Sequence, residues 1–138
     1  MSLTEVQKPI IKGIEESTII DYFATINQEK FEQTAALFAQ DGELLAPFEK
    51  PIVGRNAIAS YLAKEATGMK LLPATGIYQT ENDCTTIKVT GKVKTALFSV
   101  NVAWHFGLNN QQKIAIAKIK LLASPQELLG LKKVKEQE

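Results

Sequence analysis

Residues 96–129 read ALFSVNVAWHFGLNNQQKIAIAKIKLLASPQELL. Between Leu97 and Gly107, large apolar side chains occupy every second position, and small or polar residues occupy the others. This period-two alternation predicts a strand with one buried face. The asparagines in 108–111 predict a turn, because Asn tolerates the left-handed backbone conformations of tight turns. A second strand, over 113–122, completes a long hairpin.

The buried face of the first strand carries the single Trp of the chain. Its alternating apolar residues are Phe98, Val100, Val102, Trp104 and Phe106. After the hairpin, Ser124 stands at a helix cap, Pro125 at the first helical position, and Glu127 can bond back to the cap amide. The sequence therefore predicts a short C-terminal helix that closes the hairpin.

Apolar residues at helical spacing predict three helices in the first half of the chain. The first begins at Ser17 and breaks near Asn27, and the second ends at Asp41-Gly42, where Gly suits a helix terminus. A loop over 48–54 precedes the third helix, which runs from about residue 56 to 66. The apolar positions of the three helices are Ile19, Tyr22, Phe23 and Ile26, then Phe31, Ala35 and Phe38, then Ile58, Tyr61 and Leu62.

Strand patterns dominate from residue 70 onward. Two short strands are predicted over 70–73 and 76–81, and a long one over 85–95, where Gly91 is typical of a bend or bulge. Helices followed by strands predict an α+β fold, with three helices on one face of a curved antiparallel sheet. We expect an arm over 1–13, one domain over 14–130 and a charged tail over 131–138.

Composition excludes several classes of protein. The chain has 138 residues, a formal net charge of +1 and scattered basic residues, which do not indicate nucleic-acid binding. A single cysteine cannot form an internal disulfide, and no apolar run approaches the ~20 residues that span a bilayer. No basic and apolar leader begins the chain. We therefore expect a cytoplasmic single domain.

Few residues are candidates for catalysis, ligand binding or a disulfide. Tyr22 and Trp104 each combine an apolar body with one hydrogen-bond donor, although most such residues are simply part of a core. His105 alternates to the face opposite Trp104, and no metal-ligand spacing is present, so neither a catalytic His nor a metal site is predicted. Cys84 follows a turn signal at 82–83 and is a candidate for a disulfide between two copies of the chain.

The order of these elements resembles the nuclear transport factor 2-like superfamily, whose α+β domains are cone-shaped. Within it, several blocks in the same order resemble the C-terminal domain of the orange carotenoid protein family. These blocks are APFEKPIVG at 46–54, MKLLP at 69–73, TTIKVTGKVKT at 85–95, NVAW at 101–104 and KLLASPQELL at 120–129. The resemblance covers roughly residues 14–129. No part of this chain matches the family's helical N-terminal domain.

This resemblance implies a cyanobacterial-type photoprotection protein that binds one keto-carotenoid, of the canthaxanthin or echinenone type, in an apolar cone. Tyr22 and Trp104 match the family's two donors to the carotenoid ring carbonyl. It further implies a homodimer that shares the pigment, carotenoid transfer to helical carotenoid proteins, transient membrane contact for pigment uptake, and singlet oxygen quenching. The expected cone walls are Ile26, Leu71, Val93, Phe98, Val102 and Ile119.

Three features depart from the family. Leu97 stands where the family has an aromatic residue, and the loop before Trp104 is shorter. Glu65 matches a glutamate that pairs with the helical domain in the family. Two alternatives remain: a dimeric interaction module that binds no ligand, and a ketosteroid-isomerase-like enzyme. The enzyme is disfavoured because Ala46 and Trp104 occupy the positions of its two acids.

Overall fold

The computed structural model describes residues 8–81 and 84–122. The predicted C-terminal helix after Ser124, the tail over 131–138 and residues 1–7 of the arm lie outside this part of the chain. They remain predictions, as do the domain boundaries.

Three helices form where apolar spacing predicts them: α1 (Ser17–Asn27), α2 (Phe31–Ala36) and α3 (Arg55–Glu65). The cap of α1 lies one residue before the predicted one, because the carboxylate of Glu16 accepts the backbone N–H of Thr18. Before α3, Gly54 adopts a φ of 95°, a left-handed conformation that favours glycine. The capping side chain and the glycine conformation thus set where α1 and α3 begin.

The second helix is shorter than predicted. It ends at Ala36 rather than at Gly42, and Phe38 begins strand β1 (Phe38–Leu45). The carbonyl of Leu37 accepts the backbone N–H of Ile114 at 2.9 Å. This segment therefore pairs with a strand that lies far away in the sequence. The helical prediction was wrong here because the spacing of the apolar residues carries no information on that pairing.

The other strands are β2 (Ile52–Val53), β3 (Lys70–Glu81), β4 (Cys84–Lys94), β5 (Ser99–Leu108) and β6 (Ile114–Leu121). They form one sheet in the order β2-β1-β6-β5-β4-β3. The predicted α+β class and the long hairpin are confirmed. The prediction of a purely antiparallel sheet was wrong for one pair, because β1 and β6 run parallel. The short β2 lies within the predicted loop, and the two predicted strands over 70–81 are one.

Gly91 lies where the backbone of β3 approaches β4 closely. A Cβ atom added to Gly91 would overlap the carbonyl oxygen of Leu72. The register between the two strands shifts between Pro73 and Thr75, directly beside the pairing of Pro73 with Gly91. A glycine and a bulge together bend the sheet here, as the sequence predicted.

The helices pack on one face of the sheet, here called the inner face, around a cluster of aromatic rings. Phe23 of α1 meets Trp104 of β5 edge-on at 4.7 Å between ring centroids. Tyr22 meets Phe106 in the same manner at 5.0 Å. Such pairs contribute about 0.5–1.5 kcal/mol each beyond their buried area. The cluster therefore fixes α1 against the centre of the sheet.

The described part of the N-terminal arm lies along the edge of β3. Lys12 forms a parallel bridge with Thr75, and its N–H donates to the carbonyl of Ala74 at 3.0 Å. Ile11 and Ile14 are buried on either side of it. This contact covers part of an edge strand that would otherwise present unpaired backbone groups.

Candidate ligand cavity

A cavity of about 450 Å³ lies between the inner face of the sheet and the helices α1 and α3. Its mouth is marked by Phe48 and Leu97, which are 47% and 75% exposed, and its floor by Tyr22 and Trp104, each 1% exposed. All eight predicted cone residues line it: Tyr22, Ile26, Leu71, Val93, Phe98, Val102, Trp104 and Ile119. The structure thus places them around one space; their contact with a ligand stays a prediction.

Strand alternation explains why these walls are apolar. Every second residue of β5 points inward, and the register places Val93 of β4 opposite Val100 and Ile119 of β6 opposite Trp104. The inward residues of three neighbouring strands therefore meet around the cavity. Ile26 lies about one helical turn after Tyr22 on α1 and lines the same wall.

The indole N–H of Trp104 is buried at the floor and has no hydrogen-bond partner among the described residues. Leaving such a donor unpaired costs about 1–3 kcal/mol. Because Trp104 lines the cavity, a hydrogen-bond acceptor on a ligand can satisfy this group. The Trp104 N–H is therefore one polar point on the floor of the cavity.

The phenol of Tyr22 lines the same floor. Burial raises the pKa of this phenol far above its ordinary value of 10.0, and the nearby phenol of Tyr61 raises it further. Tyr22 is therefore neutral at any physiological pH and keeps its O–H as a donor. Phe23 packs edge-on against both Tyr22, at 5.1 Å, and Trp104, and so holds the two rings in place.

Comparison with known proteins identifies the relatives of this fold and cavity. No family model matches the chain. The chain is 43% identical over 126 residues to the orange carotenoid-binding protein of Limnospira maxima, an alignment that covers 88% of the chain and 40% of that relative. It is homologous to the orange carotenoid-binding proteins. It therefore spans about 40% of the length of this relative, consistent with homology to their C-terminal domain.

Solved structures agree with this assignment. The structure of the Anabaena (Nostoc) orange carotenoid protein binding canthaxanthin matches with a TM-score of 0.82 and 40% identity, covering 94% of this chain and 43% of that one. A nuclear transport factor 2-like protein from Novosphingobium aromaticivorans matches with a TM-score of 0.64 at 18% identity, covering 84% of each chain, and shows the fold alone. The predicted nuclear transport factor 2-like fold is confirmed.

Sequence reasoning missed several residues of the cavity wall. Tyr61, Met69 and Phe48 line it, together with Leu121 at the end of β6. Tyr61 shares the apolar face of α3 with Leu62, which was the available signal. Phe48 and Met69 lie in short connections between elements. There, the spacing of apolar residues does not predict which way a side chain points.

The cavity does not supply the groups of an isomerase. Ala46 and Trp104, which match the positions of the isomerases' two acids, both line the cavity, and neither carries a carboxyl group. Of the described residues that line the cavity, Lys64 and Glu65 carry charges. The relatives are named for carotenoid binding rather than for a reaction. The homologues are thus carotenoid-binding proteins and not isomerases.

Two other predicted positions lie away from the cavity. His105 is on the outer face of the sheet, where partial burial lowers its pKa, as do Lys120, Lys88 and Lys118. Cys84 is exposed at the start of β4, the end of that strand remote from the mouth. Among the described residues, no cluster of His, Cys, Asp or Glu could hold a metal ion.

No helix in residues 8–81 and 84–122 is both long enough and apolar enough to cross a membrane.

Proposed function

We propose that the protein binds one keto-carotenoid, with the ring carbonyl accepting hydrogen bonds from the Trp104 indole N–H and the Tyr22 hydroxyl. The single observation that carries this proposal is the unpartnered N–H of Trp104 at the floor of an apolar cavity. A terminal keto ring matches that floor, because it is apolar except for one acceptor oxygen. A relative of 40% identity is solved as an orange carotenoid protein binding canthaxanthin, which supports this ligand class.

Neutral donors favour a keto ring over an unsubstituted hydrocarbon ring. A β-carotene ring would fill the same volume and leave the Trp104 N–H unpaired. An unsatisfied buried donor costs about 1–3 kcal/mol, so this group alone favours the keto ring by about that amount. A ring of canthaxanthin or echinenone type is therefore the expected ligand.

The length of the pigment favours a homodimer. A carotenoid is longer than this cavity is deep, so part of its polyene chain emerges between Phe48 and Leu97. Two copies placed mouth to mouth enclose both ends of one pigment and cover these exposed apolar side chains. In this arrangement the two Cys84 thiols lie far apart, so a disulfide between copies requires a different contact.

A cavity with an open mouth suits a carrier better than a permanent store. We propose a cytoplasmic protein that takes up the pigment by transient membrane contact and delivers it to helical carotenoid proteins. Singlet oxygen quenching follows from the bound pigment itself. The interaction module without ligand is the rival function, and uptake of pigment distinguishes the two.

The proposal is tested by mixing the purified protein with canthaxanthin or β-carotene and recording visible spectra of the protein fractions. We expect a red-shifted band with canthaxanthin and a weaker, unshifted one with β-carotene. Tyr22→Phe and Trp104→Phe should each weaken canthaxanthin binding about 5- to 100-fold, since each removes one donor. Tyr78→Phe is the control, because its hydroxyl lies outside the cavity and accepts the N–H of Glu15.

Equal binding of the two pigments, or unchanged binding by the double variant of Tyr22 and Trp104, would contradict the two-donor arrangement. A protein that stays colourless with both pigments would favour the interaction module.

A further inference from the structure

One corner of the sheet, beside the cavity mouth, carries exposed leucines interleaved with lysines. Leu72, Leu97 and Leu122 are 49%, 75% and 50% exposed, and Lys92, Lys94 and Lys120 are exposed beside them. We name these six residues the corner patch. Leu97 also lines the cavity, so the patch begins where the cavity opens.

The strand register brings Leu72, Lys92 and Leu122 together on the outer face of the sheet. Leu72 of β3 pairs with Lys92 of β4, and Lys92 pairs with Asn101 of β5. The carbonyl of Asn101 accepts the backbone N–H of Leu122 at 2.8 Å, so this row crosses from β3 to the end of β6. The leucines and lysines, distant in sequence, therefore form one surface.

Two further lysines fall on the same side of the sheet. Lys94 ends β4, just before the turn that carries Leu97, and Lys120 of β6 pairs with Ala103 of β5. Their neighbours Val93, Ile119 and Leu121 line the cavity, so strand alternation directs both lysines outward. They add charge next to the exposed leucines.

The charged side chains on β4, β5 and β6 are all basic. Residues 84–122 contain six lysines and no Asp or Glu, in a chain whose formal net charge is only +1. The acidic residues therefore lie outside β4, β5 and β6. The lysines also act together on His105, whose pKa Lys120, Lys88 and Lys118 help to lower. The fold thus gathers scattered lysines into a basic surface.

We propose that the corner patch docks on anionic phospholipid headgroups and brings the cavity mouth to a bilayer. Leucines that enter the interfacial layer while lysines pair with headgroups are the signature of such surfaces. This inference rests on the proposed function, because it names the surface from which the pigment enters. A second copy is a poorer occupant, since symmetric contact through the patch brings lysines against lysines.

The test is co-sedimentation of the pigment-free protein with vesicles of phosphatidylcholine alone or with about one third phosphatidylglycerol. We expect binding to the anionic vesicles, little binding to the neutral ones, and loss of binding at high salt, where headgroup charge is screened. Each lysine near such a surface contributes about five- to tenfold in affinity.

Variants separate the patch from the general charge of the protein. Lys92→Glu combined with Lys94→Glu should weaken anionic-vesicle binding at least about a hundredfold. Lys30→Glu combined with Lys113→Glu makes the same change in net charge at the start of α2 and at the far end of the β5–β6 hairpin, away from the patch, and should leave binding nearly unchanged. Leu97→Ser should weaken the binding that remains at intermediate salt.

Equal binding to neutral and anionic vesicles, or equal losses in the two double variants, would overturn the proposal. So would an altered elution mass of the patch variant with unchanged vesicle binding, which would make the patch a protein contact. Addition of canthaxanthin from detergent tests pigment binding by the cavity separately from vesicle binding. If the Lys92→Glu and Lys94→Glu double variant takes up this pigment normally, the proposed function stands, because neither lysine lines the cavity. A wild-type protein that does not take up the pigment refutes that function and not the lipid contact.

Discussion

At the scale of single residues, Trp104 connects stability to ligand binding. Its ring is held edge-on by Phe23 and is fully buried, so the indole contributes to the core with or without a ligand. Its N–H has no hydrogen-bond partner among the described residues, and a ligand acceptor in the cavity would supply one. In the proposed function, the same side chain stabilises the fold and selects the ligand.

His105 gives the protein a pH dependence with a definite sign. Its pKa lies below the ordinary 6.5, because partial burial and three lysines disfavour the charged ring. The unfolded chain therefore binds a proton near pH 6 more readily than the folded protein, so stability falls as the pH drops through 6.5. We expect the midpoint of thermal unfolding to fall between pH 7.5 and 5.5, and to fall less in His105→Gln. Equal losses in both proteins would contradict this.

At the scale of secondary-structure elements, the bend between β3 and β4 depends on Gly91. In Gly91→Val, the new side chain meets the Leu72 carbonyl, so we expect a loss of about 2 kcal/mol or more. Thermal melts should show a fall of at least about 4 °C.

Gly68→Ala is the comparison for that variant. Nothing lies within 4 Å of an added Cβ there, and only its φ of 88° opposes the change, so the cost should be near 1 kcal/mol. A smaller loss for Gly91→Val than for Gly68→Ala would show that the bend does not require close approach of the two strands.

The elements also show what the sequence could predict. The three helices and the long hairpin follow from local periodicity, which a single stretch of chain contains. The parallel pairing of β1 with β6 joins residues about 75 positions apart, such as Phe38 and Ile114, and no local pattern reports it. For this reason the strand at Phe38 was predicted as helix.

Some residues of the cavity could likewise be predicted from local sequence patterns, and others could not. The inward positions of β5 could be predicted from alternation, and Val102 and Trp104 are among them. The pairing of Tyr22 with Trp104 came from the resemblance to a family, since nothing local brings α1 to β5. Phe48 could not be predicted, because its direction depends on a φ of 66° in a connecting turn.

At the scale of the whole molecule, the proposed dimer follows from the open mouth of the cavity. If two copies enclose one pigment, canthaxanthin loading should shift the protein to a dimer that contains one pigment for two chains. Size-exclusion chromatography with absorbance at the protein and pigment bands measures both quantities. A loaded monomer with one pigment per chain would contradict the shared cavity.

The most direct test of the central claim is the indole resonance of Trp104 in a ¹H–¹⁵N correlation spectrum. The chain contains one Trp, so the signal needs no assignment beyond its loss in Trp104→Phe. Canthaxanthin should move the indole proton strongly downfield, because the N–H gains an acceptor, and β-carotene should not. An indole signal that responds alike to the two pigments would show that Trp104 does not donate to a ring carbonyl.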